Sequence, residues 1–235
     1  ALIDKALRIE EDGADILDIG AESTRPGHTK VTLNEELARL IPALEAVVGR
    51  VRLPISVDTT KAEVARRAIE SGAVIINDIS GLGTDPKLAQ VAANAGTGLI
   101  LMHNQQGTQY NNLLPDITSS LQNSITTAVI SGIPRNNIII DPGIGFGKTA
   151  DQNIRLLAEL NELQTLRCPI LVGSSRKSTI GYVLNLEIDQ RVEGTAATVA
   201  LSIAGGADIV RVHDVKEMVR VAKMSDAVVR GWDKF

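Results

Sequence analysis

The chain has 235 residues, of which 44% are hydrophobic and 22% charged, and its net charge is −4. This composition is typical of a soluble globular protein, and the mild acidity without blocks of like charge argues against a nucleic acid or a membrane as partner. No apolar run reaches the roughly 18 residues that span a bilayer. The lone Cys168 cannot form an internal disulfide, so we expect a reducing compartment and a cytoplasmic protein.

Short apolar runs typical of strands alternate with longer amphipathic runs typical of helices. Apolar residues have helical spacing from the start of the chain, with no capping residue before them, so we expect the chain to begin inside a helix. Strand-like runs follow at 14–20, 53–59, 73–80, 97–103, 137–143, 168–174 and 207–214. Helical patterns lie at 34–48, 61–72, 88–96, 117–132, 153–163, 194–206 and 215–229.

Strict alternation of strands and helices predicts a parallel sheet with helical crossovers, and therefore an α/β fold. Seven strands and a leading helix without its strand indicate a (β/α)₈ TIM barrel whose first β-strand is missing from this sequence. An open doubly wound sheet is the alternative, but its dinucleotide fingerprint is absent. We predict a single barrel domain over residues 1–235, N-terminally incomplete by about 25 residues given the usual barrel length.

Polar residues gather where each predicted strand ends, in the segments ESTRPG, SVDT, IND, MHNQ, DPG, VGSSRKS and RVHD. The carboxyl ends of barrel strands open on one face, where the active sites of such enzymes lie. Alternation along the strands predicts that Asp58, Asn77 and Asp141 point inward, together with Arg211 and His213. Because burying an unpaired cation is unfavourable, we expect the last two residues to bind an anion.

The segment 174–179, SSRKST, precedes a helical pattern and combines hydroxyls with Lys177. Such a corner binds anions, and (β/α)₈ enzymes often build a phosphate site after their last two strands. Each candidate side chain also has a structural explanation, as a helix cap, a loop ligand or a satisfied core histidine. Their convergence on one face favours a functional site. The non-periodic segment 104–116 is predicted to be a mobile loop that could act as a lid.

Two motif look-alikes can be set aside. GIGFGKT at 143–149 is not a phosphate-binding P-loop, because Pro142 stands where the first glycine of that motif is required. The three histidines, His28, His103 and His213, are scattered, and the chain has no cysteine pair. A zinc site made only of protein ligands is therefore not expected.

The motifs ESTRPG, SVDTTKAEVA, INDISG, DPGIGFGKT, SSRKST and GADIVRVHDV, in this order and over nearly the whole chain, resemble the dihydropteroate synthase family. The resemblance implies a (β/α)₈ barrel transferase of folate biosynthesis. Such an enzyme joins p-aminobenzoate to 6-hydroxymethyl-7,8-dihydropterin pyrophosphate, giving 7,8-dihydropteroate and pyrophosphate. It also implies Mg²⁺ as cofactor, a homodimer and competition by sulfonamides.

The resemblance implies roles for individual residues. The pterin would be held by Asp58, Asn77, Asp141 and Lys177, and the pyrophosphate by Arg211 and His213. The p-aminobenzoate pocket and its loop would comprise Thr24, Arg25, Pro26, Phe146 and Ser178. The family's Asn that meets Mg²⁺ lies in the missing first strand and loop, so no metal ligand is expected among the residues given.

Two positions depart from the family pattern. Ala21 stands where the family usually has glycine, and Asn104 stands where it often has methionine. The second change could alter packing near the pterin. Two alternative functions remain open, a pterin-binding methyltransferase module and a truncated barrel with impaired catalysis.

Overall fold

The computed structural model describes residues 1–22 and 31–232. Strands and helices alternate along the described chain, with three short 3₁₀ helices at Arg135–Asn137, Leu160–Leu166 and Ile188–Gln190. The strands are β1 (Leu17–Gly20), β2 (Ile55–Asp58), β3 (Ile75–Asp78), β4 (Gly98–Met102), β5 (Ile138–Asp141), β6 (Leu171–Val172) and β7 (Ile209–Val210). The helices are α1 (Leu2–Glu11), α2 (Leu33–Val47), α3 (Ala62–Glu70), α4 (Lys87–Ala95), α5 (Leu113–Ile130), α6 (Ala150–Ala158), α7 (Ser178–Leu184), α8 (Val192–Ala204) and α9 (Val215–Val229).

All seven predicted strands are present, in the predicted order and shorter than predicted. The first five form one sheet in the order β1-β2-β3-β4-β5, and β6 pairs with β7. The pairings that define these neighbours are parallel, as between β1 and β2 and between β6 and β7. The helix that connects each parallel pair supplies the crossover that parallel strands need. The α/β alternation predicted from the sequence is therefore confirmed.

The chain divides into two compact units. The first unit comprises Ala1–Met102 and Leu121–Ile139, and the second comprises His103–Ser120 and Ile140–Phe235. In the first unit, the strand residues Val57, Ile76 and Leu99 are fully buried. This burial on neighbouring strands is what a parallel sheet covered by helices requires. The single domain over residues 1–235 stays a prediction.

The second unit has its own buried apolar residues. Ile140 and Val172 are buried on the strands, and Leu156 and Leu160 are fully buried in and after α6. A further cluster joins α8 to α9 through Val199, Ile203 and Met218. The loops that follow β5, β6 and β7 therefore extend from elements that are packed by buried apolar side chains.

Capping chemistry fixes where several helices begin. Thr32 and Glu35 form a capping box at the start of α2, and Thr149 and Gln152 form another at the start of α6. Helix α5 begins at Leu113, four residues before the predicted start at 117. A proline is tolerated in the first turn of a helix, so Pro115 does not prevent this earlier start. None of the helices in the described ranges is long and apolar enough to cross a membrane.

Candidate active site

Two predicted site residues are neighbours in the first unit. Asp58 is the last residue of β2, and in the parallel register it stands between Gly20 of β1 and Asn77 of β3. Both polar side chains are buried, with 9% of Asp58 and 4% of Asn77 exposed. A Cβ atom at Gly20 would lie 3.2 Å from the Cβ of Asp58, so the glycine leaves room for this carboxylate. The structure thus brings a carboxylate and an amide together at the ends of adjacent strands.

The turn after β3 is organised by Asp78, which the sequence did not mark as special. Its carboxylate accepts hydrogen bonds from the backbone N–H and hydroxyl of Ser80 at 2.8 and 2.7 Å, and from the N–H of Leu82 at 2.7 Å. Burial raises the pKa of Asp78, and the bonds to Ser80 and Leu82 oppose that rise. The turn bonds of Asp78 hold the backbone next to Asn77 in place.

A second buried cluster in the first unit surrounds Lys61. Its ammonium group donates to Glu22 at 2.8 Å and also to Glu36, which accepts a further bond of 2.6 Å from the hydroxyl of Thr59. Burial opposes the charge on Lys61, but the two carboxylates outweigh it and raise its pKa. Glu22 also accepts from the N–H of Val31 at 3.3 Å. The predicted loop residues Thr24, Arg25 and Pro26 fall between these two positions, outside the described residues.

Asp141 is the central carboxylate of the second unit. It ends β5, is 8% exposed, and accepts a hydrogen bond of 2.7 Å from the N–H of Gly143. Burial raises its pKa, while that amide and the cations Lys177, Lys148 and Arg211 lower it. Three basic side chains therefore favour the ionised form of a carboxylate that burial alone would neutralise.

Lys177 lies between Asp141 and the predicted aromatic residue. Its ammonium group donates to the carbonyl of Ile144 at 2.6 Å and lies 4.2 Å from the ring centroid of Phe146. That distance is within the range of a cation–π contact. Burial, together with the charge of Arg211, lowers the pKa of Lys177 to about 8, against the opposing effect of Asp141. The structure thus couples Asp141, Lys177 and Arg211 electrostatically and places the ring of Phe146 against Lys177.

The last strand is shorter than expected, which changes the setting of its two basic residues. Strand β7 ends at Val210, so Arg211 and His213 lie beyond it and are exposed rather than buried in its middle. The hydroxyl of Ser175 lies 2.9 Å from Nδ1 of His213 and accepts from its backbone N–H at 3.2 Å. The expected cost of burying these cations therefore does not arise, but both side chains remain accessible to an anion.

The SSRKST segment differs in detail from the predicted anion corner. The N–H of Arg176 donates to the hydroxyl of Thr195 at 3.1 Å, and the N–H of Lys177 donates to the carbonyl of Ser174 at 3.2 Å. Helix α7, which begins at Ser178, has only 7 residues. Those two amides already have partners within the protein, and the side chains of Arg176 and Lys177 carry positive charge in this segment. Ser178 itself is exposed.

Two buried residues near Asp141 were missed as candidates, Lys148 and His103. The Lys148 ammonium group lies 3.0 Å from each of three acceptors, namely Nδ1 of His103 and the carbonyl oxygens of Gly143 and Phe146. Burial, together with the charge of Lys177, lowers the pKa of Lys148 to about 7, against the opposing effect of Asp141. The signal for Lys148 was its position in the DPGIGFGKT motif, which the sequence linked to the site only through Asp141 and Phe146.

The segment after His103 differs from the predicted mobile loop. Residues 104–112 are irregular, but the hydroxyl of Tyr110 donates to the carbonyl of Gly147 at 3.0 Å, and Gln152 donates to the carbonyl of Thr108 at 2.9 Å. At Gly143, with φ of 71°, a Cβ atom would lie 1.9 Å from the carbonyl oxygen of His103. Only glycine fits there, so the two loops pack backbone to backbone.

Within the described part of the chain, no group of three or more His, Cys, Asp and Glu side chains is arranged to hold a metal ion. Mg²⁺ commonly binds through substrate phosphates and waters with one or two protein ligands. A metal at this site would therefore depend mainly on a phosphorylated substrate, and the residues near Asp141 do not form a binding set of their own.

Known proteins are similar to this chain in sequence and in fold. A family model described as pterin binding enzyme matches residues 1–213. The dihydropteroate synthase of Bacillus subtilis is 50% identical over 231 residues, covering 97% of this chain and 81% of that protein.

Solved structures agree with these matches. The crystal structure of the Clostridium difficile dihydropteroate synthase in the presence of pteroic acid has a TM-score of 0.95 at 46% identity, covering 97% of this chain and 87% of that chain. The structure of the Xanthomonas albilineans dihydropteroate synthase with 4-aminobenzoic acid has a TM-score of 0.93 at 41% identity, covering 96% of this chain and 83% of that chain. The expected (β/α)₈ barrel fold class is confirmed. The chain therefore belongs to the pterin-binding enzyme family and, within it, to the dihydropteroate synthases, the transferases of folate biosynthesis.

Proposed function

We propose that the chain condenses 6-hydroxymethyl-7,8-dihydropterin pyrophosphate with p-aminobenzoate to give 7,8-dihydropteroate and pyrophosphate. The observation that carries this proposal is the cluster of Asp141 with Lys177, Phe146 and Arg211 in a chain of this family. A buried carboxylate can accept from the donor edge of a pterin, and an ammonium group can donate to its ring acceptors. The cluster thus offers both kinds of partner that a pterin needs.

We propose for individual residues the binding roles that the family resemblance implies. Asp58, Asn77, Asp141 and Lys177 hold the pterin, and Arg211 and His213 hold the pyrophosphate. Thr24, Arg25, Pro26, Phe146 and Ser178 form the p-aminobenzoate pocket and its loop. Charge-assisted bonds from a guanidinium group to phosphate oxygens are among the strongest in proteins, and Arg211 is accessible for them.

The reaction exchanges one bond to the exocyclic CH₂ carbon of the pterin for another. Its C–O bond breaks, pyrophosphate leaves with the electron pair, and a pterin cation remains. The amine nitrogen of p-aminobenzoate attacks that carbon and loses a proton. Arg211 and His213 stabilise the departing negative charge, and the Asp141 carboxylate stabilises the cation. Bound Mg²⁺ would supply further charge neutralisation on the pyrophosphate.

The proposal extends to assembly and location. We infer a homodimer, because α7 and α8 carry exposed apolar side chains, with Tyr182 72%, Val183 57% and Leu201 63% exposed. An apolar groove of about 740 Å³ lies among α6, α7 and α8. Large exposed apolar patches mark interaction sites. The lone buried Cys168 supports a reducing compartment, and we place the protein in the cytoplasm.

Pyrophosphate release measured with dihydropterin pyrophosphate, p-aminobenzoate and Mg²⁺ tests the function. Release should require all three, and a sulfonamide should compete with p-aminobenzoate. The Arg211→Ala variant should weaken binding of the pyrophosphate substrate by about 10- to 100-fold, because charged hydrogen bonds are lost. Binding of 6-hydroxymethyl-7,8-dihydropterin, which has no pyrophosphate, should change little.

Arg220→Ala, an exposed arginine on α9, is the matched control and should behave as wild type. No pyrophosphate release from a chain whose circular dichroism shows a folded protein would exclude the enzymatic function. Equal losses for both ligands in Arg211→Ala would show that the pyrophosphate assignment is wrong.

A further inference from the structure

Several backbone groups of the loop that follows Asp141 form hydrogen bonds with side chains. Lys148 binds two of its carbonyl oxygens, those of Gly143 and Phe146, and Lys177 binds a third, that of Ile144. On the N–H side, Gly143 donates to Asp141 at 2.7 Å, and Gly145 donates to the side chain of Asn153 at 2.8 Å. Two lysines therefore donate hydrogen bonds to the backbone carbonyls of one short loop.

The geometry around Lys148 accounts for every hydrogen that its ammonium group carries. Three N–H bonds face three acceptors at 3.0 Å, two carbonyl oxygens and Nδ1 of His103. His103 is 4% exposed, and burial, followed by the charge of Lys148, lowers its pKa to about 4. The imidazole is therefore neutral near pH 7, and in the tautomer with its proton on Nε2 its Nδ1 accepts from the Lys148 ammonium group.

The loop matters for function through two of its groups, the ring of Phe146 and the N–H of Gly143. Phe146 lies at its tip, with its ring 4.2 Å from Lys177, and the N–H of Gly143 faces Asp141. The Lys148 ammonium group is buried behind the loop, among carbonyl oxygens that leave it no N–H for a substrate. We propose that Lys148 is a positioning residue whose ammonium group fixes the loop of residues 143–147, so that Phe146 is held where it lines the p-aminobenzoate pocket. This inference rests on the role proposed for Phe146.

No uncharged side chain of similar length reproduces this arrangement. Methionine fills a similar volume to lysine but donates no hydrogen bond, so Lys148→Met would remove this donor from the carbonyl oxygen of Phe146 and leave that of Gly143 with only the N–H of Phe146, at 3.0 Å. Buried carbonyl groups without a partner destabilise the local conformation. The loop should therefore open more often, while the rest of the second unit keeps its contacts.

Hydrogen exchange of the whole chain tests the positioning directly. In Lys148→Met, backbone amides of residues 143–149 should exchange about tenfold faster than in wild type, because their local opening becomes easier. Amides of α9 should exchange at the wild-type rate. The control is Lys223→Met, an exposed lysine on α9, which should leave the loop unchanged. Unchanged exchange in the loop of Lys148→Met would overturn the proposal.

Steady-state kinetics then ask whether Lys148 acts through Phe146. Lys148→Met should raise the KM for p-aminobenzoate about tenfold, with a smaller effect on kcat. In a Phe146→Ala background, the same substitution should raise that KM less than about twofold, because the positioned ring is gone. Full additivity of the two substitutions would contradict action through Phe146.

A milder variant guards against loss of folding. Lys148→Gln can still donate to one carbonyl, and it should accelerate loop exchange by a smaller factor than methionine does. Wild-type exchange in Lys148→Gln would count against the proposal. Hydrogen exchange needs no turnover, so it tests the role of Lys148 even if the wild-type chain releases no pyrophosphate. The proposal for Lys148 and the proposed function can therefore fail separately.

Discussion

His103 illustrates how burial at one residue links protonation to stability. Burial and, to a smaller extent, the charge of Lys148 lower its pKa from 6.5 to about 4, and a backbone hydrogen bond and Asp116 oppose the shift. The unfolded chain takes up this proton near pH 6.5, and the folded chain takes it up only near pH 4. Between these values the unfolded state holds one more proton, so the free energy of unfolding falls as the pH decreases.

We expect His103→Asn to lose less stability than wild type on acidification. Its amide oxygen can replace Nδ1 as the acceptor for Lys148, but asparagine does not titrate. In wild type, the pKa shift of His103 contributes at most about 3 kcal/mol to the free energy of unfolding. This contribution is present above pH 6.5 and is lost by about pH 4. Denaturant unfolding at pH 7 and pH 5 measures the difference. His213→Asn, at an exposed histidine, should follow the wild-type pH dependence, and an equally steep loss in His103→Asn would refute the assignment.

At the scale of elements, ion pairs and arginine side chains join loops that carry different parts of the site. Arg176, in the loop between β6 and α7, donates through Nε to Asp214 at 2.9 Å, just before α9. Arg191 donates to the carbonyl oxygens of Arg176 and Lys177 at 3.0 and 3.4 Å. The loop with Lys177 is thereby tied to the segment that contains His213. This coupling connects the pterin end of the proposed site with its pyrophosphate end.

Asp214→Asn should disturb the pyrophosphate end more than the p-aminobenzoate end. The substitution keeps the side-chain shape but removes the charge that holds Arg176, whose side chain is 30% exposed while that of Asp214 is 14% exposed. Partly exposed ion pairs contribute on the order of 1 kcal/mol, so the KM for the pterin pyrophosphate should rise about fivefold. Steady-state kinetics with each substrate varied in turn measures this. The control is Asp226→Asn, which breaks the exposed pair with Arg230 and should leave both KM values unchanged. Equal rises in KM for both substrates in Asp214→Asn would argue against the coupling.

Elements were more predictable from the sequence than side-chain contacts. Alternating apolar runs predicted all seven strands, and the polar strand ends identified Asp58, Asn77 and Asp141, because parallel strands place such residues at neighbouring ends. The length of β7 was overestimated, since apolar composition does not show where the ladder of hydrogen bonds stops. Lys148 and His103 are 45 positions apart, and their contact depends on how two irregular loops pack, which no local periodicity encodes.

At the scale of the whole molecule, the exposed apolar surface on α7 and α8 remains to be explained. Leu201 is 63% exposed and Tyr182 72% exposed, and the groove between α6, α7 and α8 is lined mainly by apolar side chains. Leaving such residues in water forgoes roughly 25 cal/mol for each Å² of apolar area that could be buried. A second copy of the chain would bury the same patch on both partners, as two-fold symmetric dimers do.

Leu201→Glu should convert the proposed homodimer into a monomer. The wild-type chain should sediment with twice its 25.0 kDa mass, and the variant with the mass of one chain, because a carboxylate at the centre of an apolar interface is buried without a partner. Ile130→Glu introduces the same charge at the end of α5, where Ile130 is 81% exposed, and should leave the mass of the assembly unchanged. Sedimentation equilibrium decides between these outcomes. A monomeric wild-type chain would contradict the homodimer, and a dimeric Leu201→Glu chain would move the interface away from α7 and α8.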